Sequence, residues 1–292
     1  MKYCSYFLLI FCVLSSINTV CSETDKHVQY NTYFLKGKCA IKNGNYSQAT
    51  AYFDSASLVF PYFHKPYFEA VICASKLNDY EKAYQYAVKM ILTGCHFSII
   101  SIETLGEFYN TDYYKLLKIQ EDSLYQFSMQ KRDTAFANAV IQLYNKNQSK
   151  GVSKDTTTFH DFVALCVEKE AFPSYLNVGT EVYRKAYALI YNSYWYSNYP
   201  DTEDWQKLLK LMQYEFLSGG IEAHLIALFE ETYCRNNNLP LRYGIFSNLF
   251  NPSDYMYLPI EELNKNRKEA GLAPIELDAI LWDVNLDILL TK

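Results

Sequence analysis

The chain has 292 residues, half of them hydrophobic and a fifth charged, and a formal net charge of −5. That composition excludes a largely disordered chain, and its mildly acidic balance excludes general attraction to a phosphate backbone, so nucleic acid is not an expected partner. Ten Gly and eight Pro are too few for a turn-rich β-sandwich, and no run of about 18 uncharged apolar residues offers a membrane span.

The first 22 residues read as an address rather than as structure. Lys2 supplies a positive start, Tyr6 to Val13 with Leu14 and Ile17 form a short apolar core, and Val20 and Ser22 stand at −3 and −1 of a cut before Glu23. The apolar core suits a secretory signal and is too short to span a bilayer. The expected location is therefore extracytoplasmic, periplasmic or secreted. Lipidation of Cys21 and attachment to an outer membrane is the alternative, although Val20 is bulkier than the residue that usually precedes a lipidated Cys. Removal of the signal takes away Cys4, Cys12 and Cys21 and leaves Cys39, Cys73, Cys95, Cys166 and Cys234. An odd number cannot form a closed disulfide framework; an exported chain could still pair two of them, but buried helix positions explain most.

Residues 23–96 repeat. At an offset of 34 residues, Tyr33-Phe34 matches Tyr67-Phe68, Cys39-Ala40 matches Cys73-Ala74, and Lys42, Tyr46, Ala49 and Tyr52 match Lys76, Tyr80, Ala83 and Tyr86. A period of this size belongs to stacked helix–turn–helix units. Tyr33, Gly37, Tyr46, Ala49, Phe53, Ala56 and Pro61 fall where a tetratricopeptide repeat has its signature residues, and the first copy resembles that family. The second copy departs from it, with Val71 in place of Gly and Ala87 in place of an aromatic ring. Asn43-Gly44-Asn45 and Asn78-Asp79 supply turn and cap chemistry between helices. Two units need capping neighbours, and residues 97–134 read as a degenerate third unit, broken near Gly106 and Asn110. The resemblance implies a groove lined by the first helix of each pair. By position that face carries Asn31, Phe34, Lys38, Lys42, Lys65, Phe68, Ile72 and Lys76, and it implies a protein or peptide partner whose carboxylate meets the lysines. A solvated basic face, or one covered by the following domain, is the competing expectation.

From residue 135 to the end the apolar spacing stays near the helical period. Phe159 to Val167, Trp205 to Phe216 and Ile221 to Phe229 each mark a stripe. Glu181 to Trp195 reads as a central buried helix, and Asp201-Thr202 as the start of the Trp205 helix. Asn147-Gln148, Ala171-Phe172-Pro173, Asn192, Leu225 to Glu231, Leu241-Arg242-Tyr243-Gly244, Arg267 and Gly271-Leu272-Ala273-Pro274 follow one another in an order that resembles a bacterial domain family of unknown function. The polar landmarks of that family are replaced here: its His by Asn192, its Asp-Arg by Glu231-Thr232, its Gln by Leu241 and its Thr by Ile245. Turn and packing positions survive where polar ones are lost, which points to binding or scaffolding rather than to an inherited reaction.

The expected fold is all-α: a short tetratricopeptide-like α-solenoid followed by a helical domain. There is no phosphate loop, HExxH or GxSxG, and the five His are not spaced as metal ligands. No cofactor or metal is expected. His160-Asp161 are neighbours in sequence, but adjacent residues on a helix point apart. Glu168 with Glu170, and Glu230-Glu231, could supply paired carboxylates. The leading functional expectation is an exported helical-repeat interaction protein. The alternative is an envelope hydrolase with a pocket gathering His224, Glu230 or Arg267.

Overall fold

The structure is a computed structural model and describes residues 3–149, 156–195, 203–245 and 256–286. The side chains of Cys21 and Asn192, and all of Pro200-Asp201-Thr202, Phe246 and Pro252, lie outside the described residues. Among the described residues the chain forms thirteen α-helices and no strand, with one isolated bridge between Leu241 and Tyr257. The all-α expectation holds.

The first four helices are α1 (Tyr3–Lys42), α2 (Tyr46–Val59), α3 (His64–Lys76) and α4 (Tyr80–Leu92), each packed on the next. Their ends follow from local chemistry. Gly44 takes φ +73 and Asn45 then caps α2, its side chain accepting from the Gln48 amide. Asn78 takes φ 58 and Asp79 caps α4 in the same way through Lys82. Each cap satisfies one of the backbone N–H groups that a helix start leaves free. Close approach of α1 and α2 depends on Gly37, where a Cβ would stand 2.5 Å from the Phe53 ring. Ala49, Phe53, Ala56, Ala83 and Tyr86 are buried, and the Tyr86 hydroxyl donates to Asp54 at 2.7 Å.

Residues 97–134 form α5 (Ile102–Leu105), a 3-10 turn (Gly106–Asn110) and α6 (Asp112–Met129), which lies against α4. Leu105, Phe108 and Leu117 are buried there, whereas Tyr113, Leu116 and Ile119 face outward. Arg132 ties this segment to the rest. Its guanidinium donates to the Thr93 carbonyl at 2.7 Å and to the Ser128 hydroxyl at 3.2 Å, resting against Gly94 and Gly179.

The remaining helices are α7 (Thr134–Ser149), α8 (Thr156–Glu168), α9 (Thr180–Trp195), α10 (Glu203–Leu217), α11 (Ala223–Asn236), α12 (Ile260–Glu269) and α13 (Ile275–Trp282). The largest buried cluster crosses from the first helices into these. It joins Tyr30, Ala56, Phe60 and Phe63 to Phe136, Phe162, Val182, Leu208 and Phe229. His27 is buried at the same seam, stacked on Phe216 with ring centroids 4.2 Å apart, and its Nε2 lies 2.9 Å from the Phe216 carbonyl oxygen. The five cysteines from Cys39 onward are free, and burial raises the thiols of Cys73 and Cys95 to about 12.

Candidate functional site

Two buried ionic groups organise the C-terminal helices. Glu231 on α11 is fully buried, and its carboxylate accepts from the amides of Arg242 (3.0 Å), Tyr243 (3.1 Å) and Ile245 (3.1 Å). One side chain thus satisfies three N–H groups of the Leu241–Ile245 turn. Arg267 on α12 is 1% exposed. Its Nε donates to the Ala273 carbonyl and its Nη1 to the Tyr243 carbonyl, both at 2.6 Å, and its Nη2 pairs with Asp278 on α13. Arg267 therefore binds two turns and a helix together while every polar atom it takes out of water finds a partner.

This unit docks on α1. Asn31 donates to the Gly271 carbonyl at 2.8 Å. Lys42 donates to the Ile280 carbonyl at 2.7 Å, at the end of α13, and pairs with Asp283 at 2.5 Å. A cation at the C-terminal end of a helix satisfies free carbonyls and answers the helix dipole. Lys38 pairs with Glu69 of α3 at 2.7 Å. Phe34 packs between the two main buried clusters and Phe68 beside the first helices, while Lys76 is exposed at the end of α3. Of the lysines expected on one face, Lys38, Lys42 and Lys65 each have a partner within the chain.

Between α1, α3 and the C-terminal helices lies a cleft with two chambers that share Lys65, Glu222 and His224. The outer chamber, about 350 Å³, is walled by Asn31, Phe34 and Leu35 of α1 and by Arg267, Asp278 and Trp282. The inner chamber, about 420 Å³, is ringed by His64, Tyr175, Tyr183, Arg184 and Tyr187. Their common wall is Glu222, the residue before α11, which is 7% exposed. Its carboxylate accepts from Lys65 Nζ at 2.5 Å and from the Tyr175 hydroxyl at 3.1 Å. Burial opposes its charge, but Lys65 holds its pKa below the usual carboxylate value.

The two histidines of the cleft are neutral near pH 7. Burial lowers His64 to about 3. His224 is also lowered, first by its crowded surroundings and then by the charge of Lys65, although its ring is open to the solvent in the cleft. Burial raises the phenols of Tyr30, Tyr175 and Tyr183 well above their ordinary range. Two of the lining residues, Tyr30 and His64, each carry a buried polar atom, Oη and Nδ1, without a hydrogen-bond partner among the described residues. The arrangement offers neutral donors and acceptors, aromatic faces and the guanidinium of exposed Arg184, which has no hydrogen bond or ion pair among the described residues. These are the means of holding a ligand.

The structure thus gathers Asn31, Phe34, Lys65, His224 and Arg267 in one cleft. Glu230 lies apart, accepting from the Tyr243 hydroxyl. The Glu230-Glu231 pair divides, one carboxylate at the surface and one buried on backbone. His160 turns from Asp161 to Asp204 on α10, at 2.5 Å, and Asp161 pairs with Lys146. Glu222, Arg184, Tyr175 and Asp278 carry no motif in the sequence and reach the cleft only through the packing of distant segments. Among the described residues no group of three or more His, Cys, Asp or Glu is placed to hold a metal ion. No protein-family model, curated protein or solved structure matches this chain.

Proposed function

We propose that the chain is an exported helical interaction protein that takes a segment of a protein or peptide partner in the cleft between its repeat-like first helices and its C-terminal helices. The observation that carries this reading is the meeting of Asn31, Phe34 and Lys65 with His224 and Arg267 around an open cleft. The lower part of the same face is filled by α13, held by Lys42. Recognition is thereby confined to the upper part, where buried polar atoms lack partners. Such atoms carry a desolvation cost that a ligand relieves.

The test is site-specific photocrosslinking in the cell of origin, with a photoreactive residue at Leu35 in the cleft wall and a control at Ile119 on α6. The expected result is one or two discrete adducts from Leu35 that do not form from Ile119. No adduct, or the same adducts from both positions, overturns the proposal. Cleavage of the chain before Glu23 and recovery outside the cytoplasm test the export half separately.

A further inference from the structure

The charges around the inner chamber do not cancel, and that imbalance specifies a ligand. The titratable groups lining it are His64, Lys65, Arg184, Glu222, His224 and the phenols of Tyr175, Tyr183 and Tyr187. Lys65 and Glu222 neutralise each other at 2.5 Å. The histidines and phenols are uncharged near neutrality. Arg184 remains, exposed on α9 and without a hydrogen bond or ion pair among the described residues. Helix α11, fourteen residues long, starts beside it with no side-chain cap bond, which adds the partial positive charge of a helix start. His64, 6% exposed, lines the same chamber with Nδ1 unpartnered. The rest of the wall is Ile99, Leu225 and the tyrosine rings.

We infer that the inner chamber is a site for a monocarboxylate on a compact apolar or aromatic body. A cationic ligand would meet Arg184 and compete with Lys65 for Glu222. A neutral ligand would leave the guanidinium unanswered. A dianion would exceed the one positive charge of Arg184. One carboxylate on Arg184 matches the charge, because a guanidinium offers two parallel N–H groups to a carboxylate. The apolar body then covers Ile99, Leu225 and Tyr187. A volume of about 420 Å³ admits a body of one ring and a short chain. This inference rests on the reading of the cleft as a binding site and specifies the chemistry of what enters it.

The experiment uses matched probes on the full mature chain: phenylacetate with phenylacetamide, cyclohexanecarboxylate with its amide, and phenethylamine. Binding is read by isothermal titration and by shifts of the Tyr183 and Leu225 NMR signals. The expected result is saturable binding of at least one acid, with its amide about tenfold weaker or more, the scale of a charge-assisted hydrogen bond. The amine should not bind. Arg184→Ala should abolish the preference for acid over amide without changing Tm, since Arg184 is exposed, and Arg184→Lys should retain part of it. Equal binding of acid and amide, or a preference that survives Arg184→Ala, overturns the inference. So does the failure of every acid to shift the chamber signals up to about 10 mM, the scale expected of a small fragment. If Leu35 still captures a partner when the acids fail, only the carboxylate inference falls. If Leu35 captures nothing either, the binding reading falls with it.

Discussion

Single side chains decide how this protein responds to acid. His27 and His64 are buried neutral, and burial lowers them to about 4 and about 3. Above about pH 6.5 the unfolded histidines are neutral as well, so this contribution to stability is complete there. As the pH falls below 6.5 the unfolded chain takes up protons that the folded chain refuses. Stability then drops by up to roughly 1.4 kcal/mol per pH unit for each histidine, until the folded values are reached. Urea unfolding midpoints measured between pH 7 and pH 4.5 should show that slope, and His27→Gln should make it shallower even if the variant is less stable overall. An unchanged slope would assign the acid sensitivity elsewhere. Glu231 gives a sharper residue-scale case. Burial raises its pKa, while three backbone amides favour the charged form. Glu231→Gln keeps the shape but turns an NH₂ group toward at least one of those amides. A loss of about 2 kcal/mol or more is expected, the cost of leaving buried donors unmatched, together with faster amide exchange at Arg242, Tyr243 or Ile245.

At the scale of elements, the joints are made by pairs of small and large residues that sequence spacing only partly announces. The approach of α1 to α2 was legible, because Gly37 and Phe53 are a small and a large residue at positions expected to pack together, and the structure places one against the other. The Arg132 joint was not. Arg132 packs on Gly94 and Gly179, which are far apart in sequence and both have φ near +80. Backbone bonds run alongside, from Glu181 N–H to the Gly94 carbonyl at 3.1 Å. Gly179→Ala would put a Cβ 2.7 Å from the guanidinium and force an unfavourable φ. Arg132→Ala would leave the Thr93 carbonyl without its donor. Each change should cost about 1–3 kcal/mol. The double variant should cost less than the sum, because removing the guanidinium frees the space the new methyl needs. Additive losses in chemical denaturation would show that the two groups do not share this joint. The outward-facing Leu116 and Ile119 of α6 mark the limit of the pattern argument, since apolar spacing does not say which apolar positions find a neighbour.

For the whole molecule, the decisive feature is a core shared between the first four helices and the C-terminal helices. Phe63, at the turn before α3, meets Tyr30 at 5.0 Å and Tyr175 at 4.7 Å between ring centroids. A cluster shared in this way couples the halves, so unfolding should follow one transition. Tryptophan fluorescence, with Trp205 on α10 and Trp282 on α13, and far-UV circular dichroism should give coincident curves. Phe63→Ala should shift both together by about 3–5 kcal/mol, the range for a buried aromatic ring. Two separated transitions would show that the halves fold independently.

The sequence by itself determined the helices, their caps at Asn45 and Asp79, and the small-to-large packing of α1 on α2. These are set by neighbours within a few residues, through helical period, turn chemistry and side-chain size. Only the tertiary structure decided what the lysines do. Lys38, Lys42 and Lys65 look alike in sequence, yet one meets Glu69, one ends α13 and one pairs with the buried Glu222. It also decided that Glu222, Arg184 and Tyr175 share a chamber, since they come from distant segments (the start of α11, helix α9 and the turn before α9) and acquire their roles only when those segments meet. Charge pairing and desolvation depend on distance in space, and a one-dimensional pattern does not contain those distances.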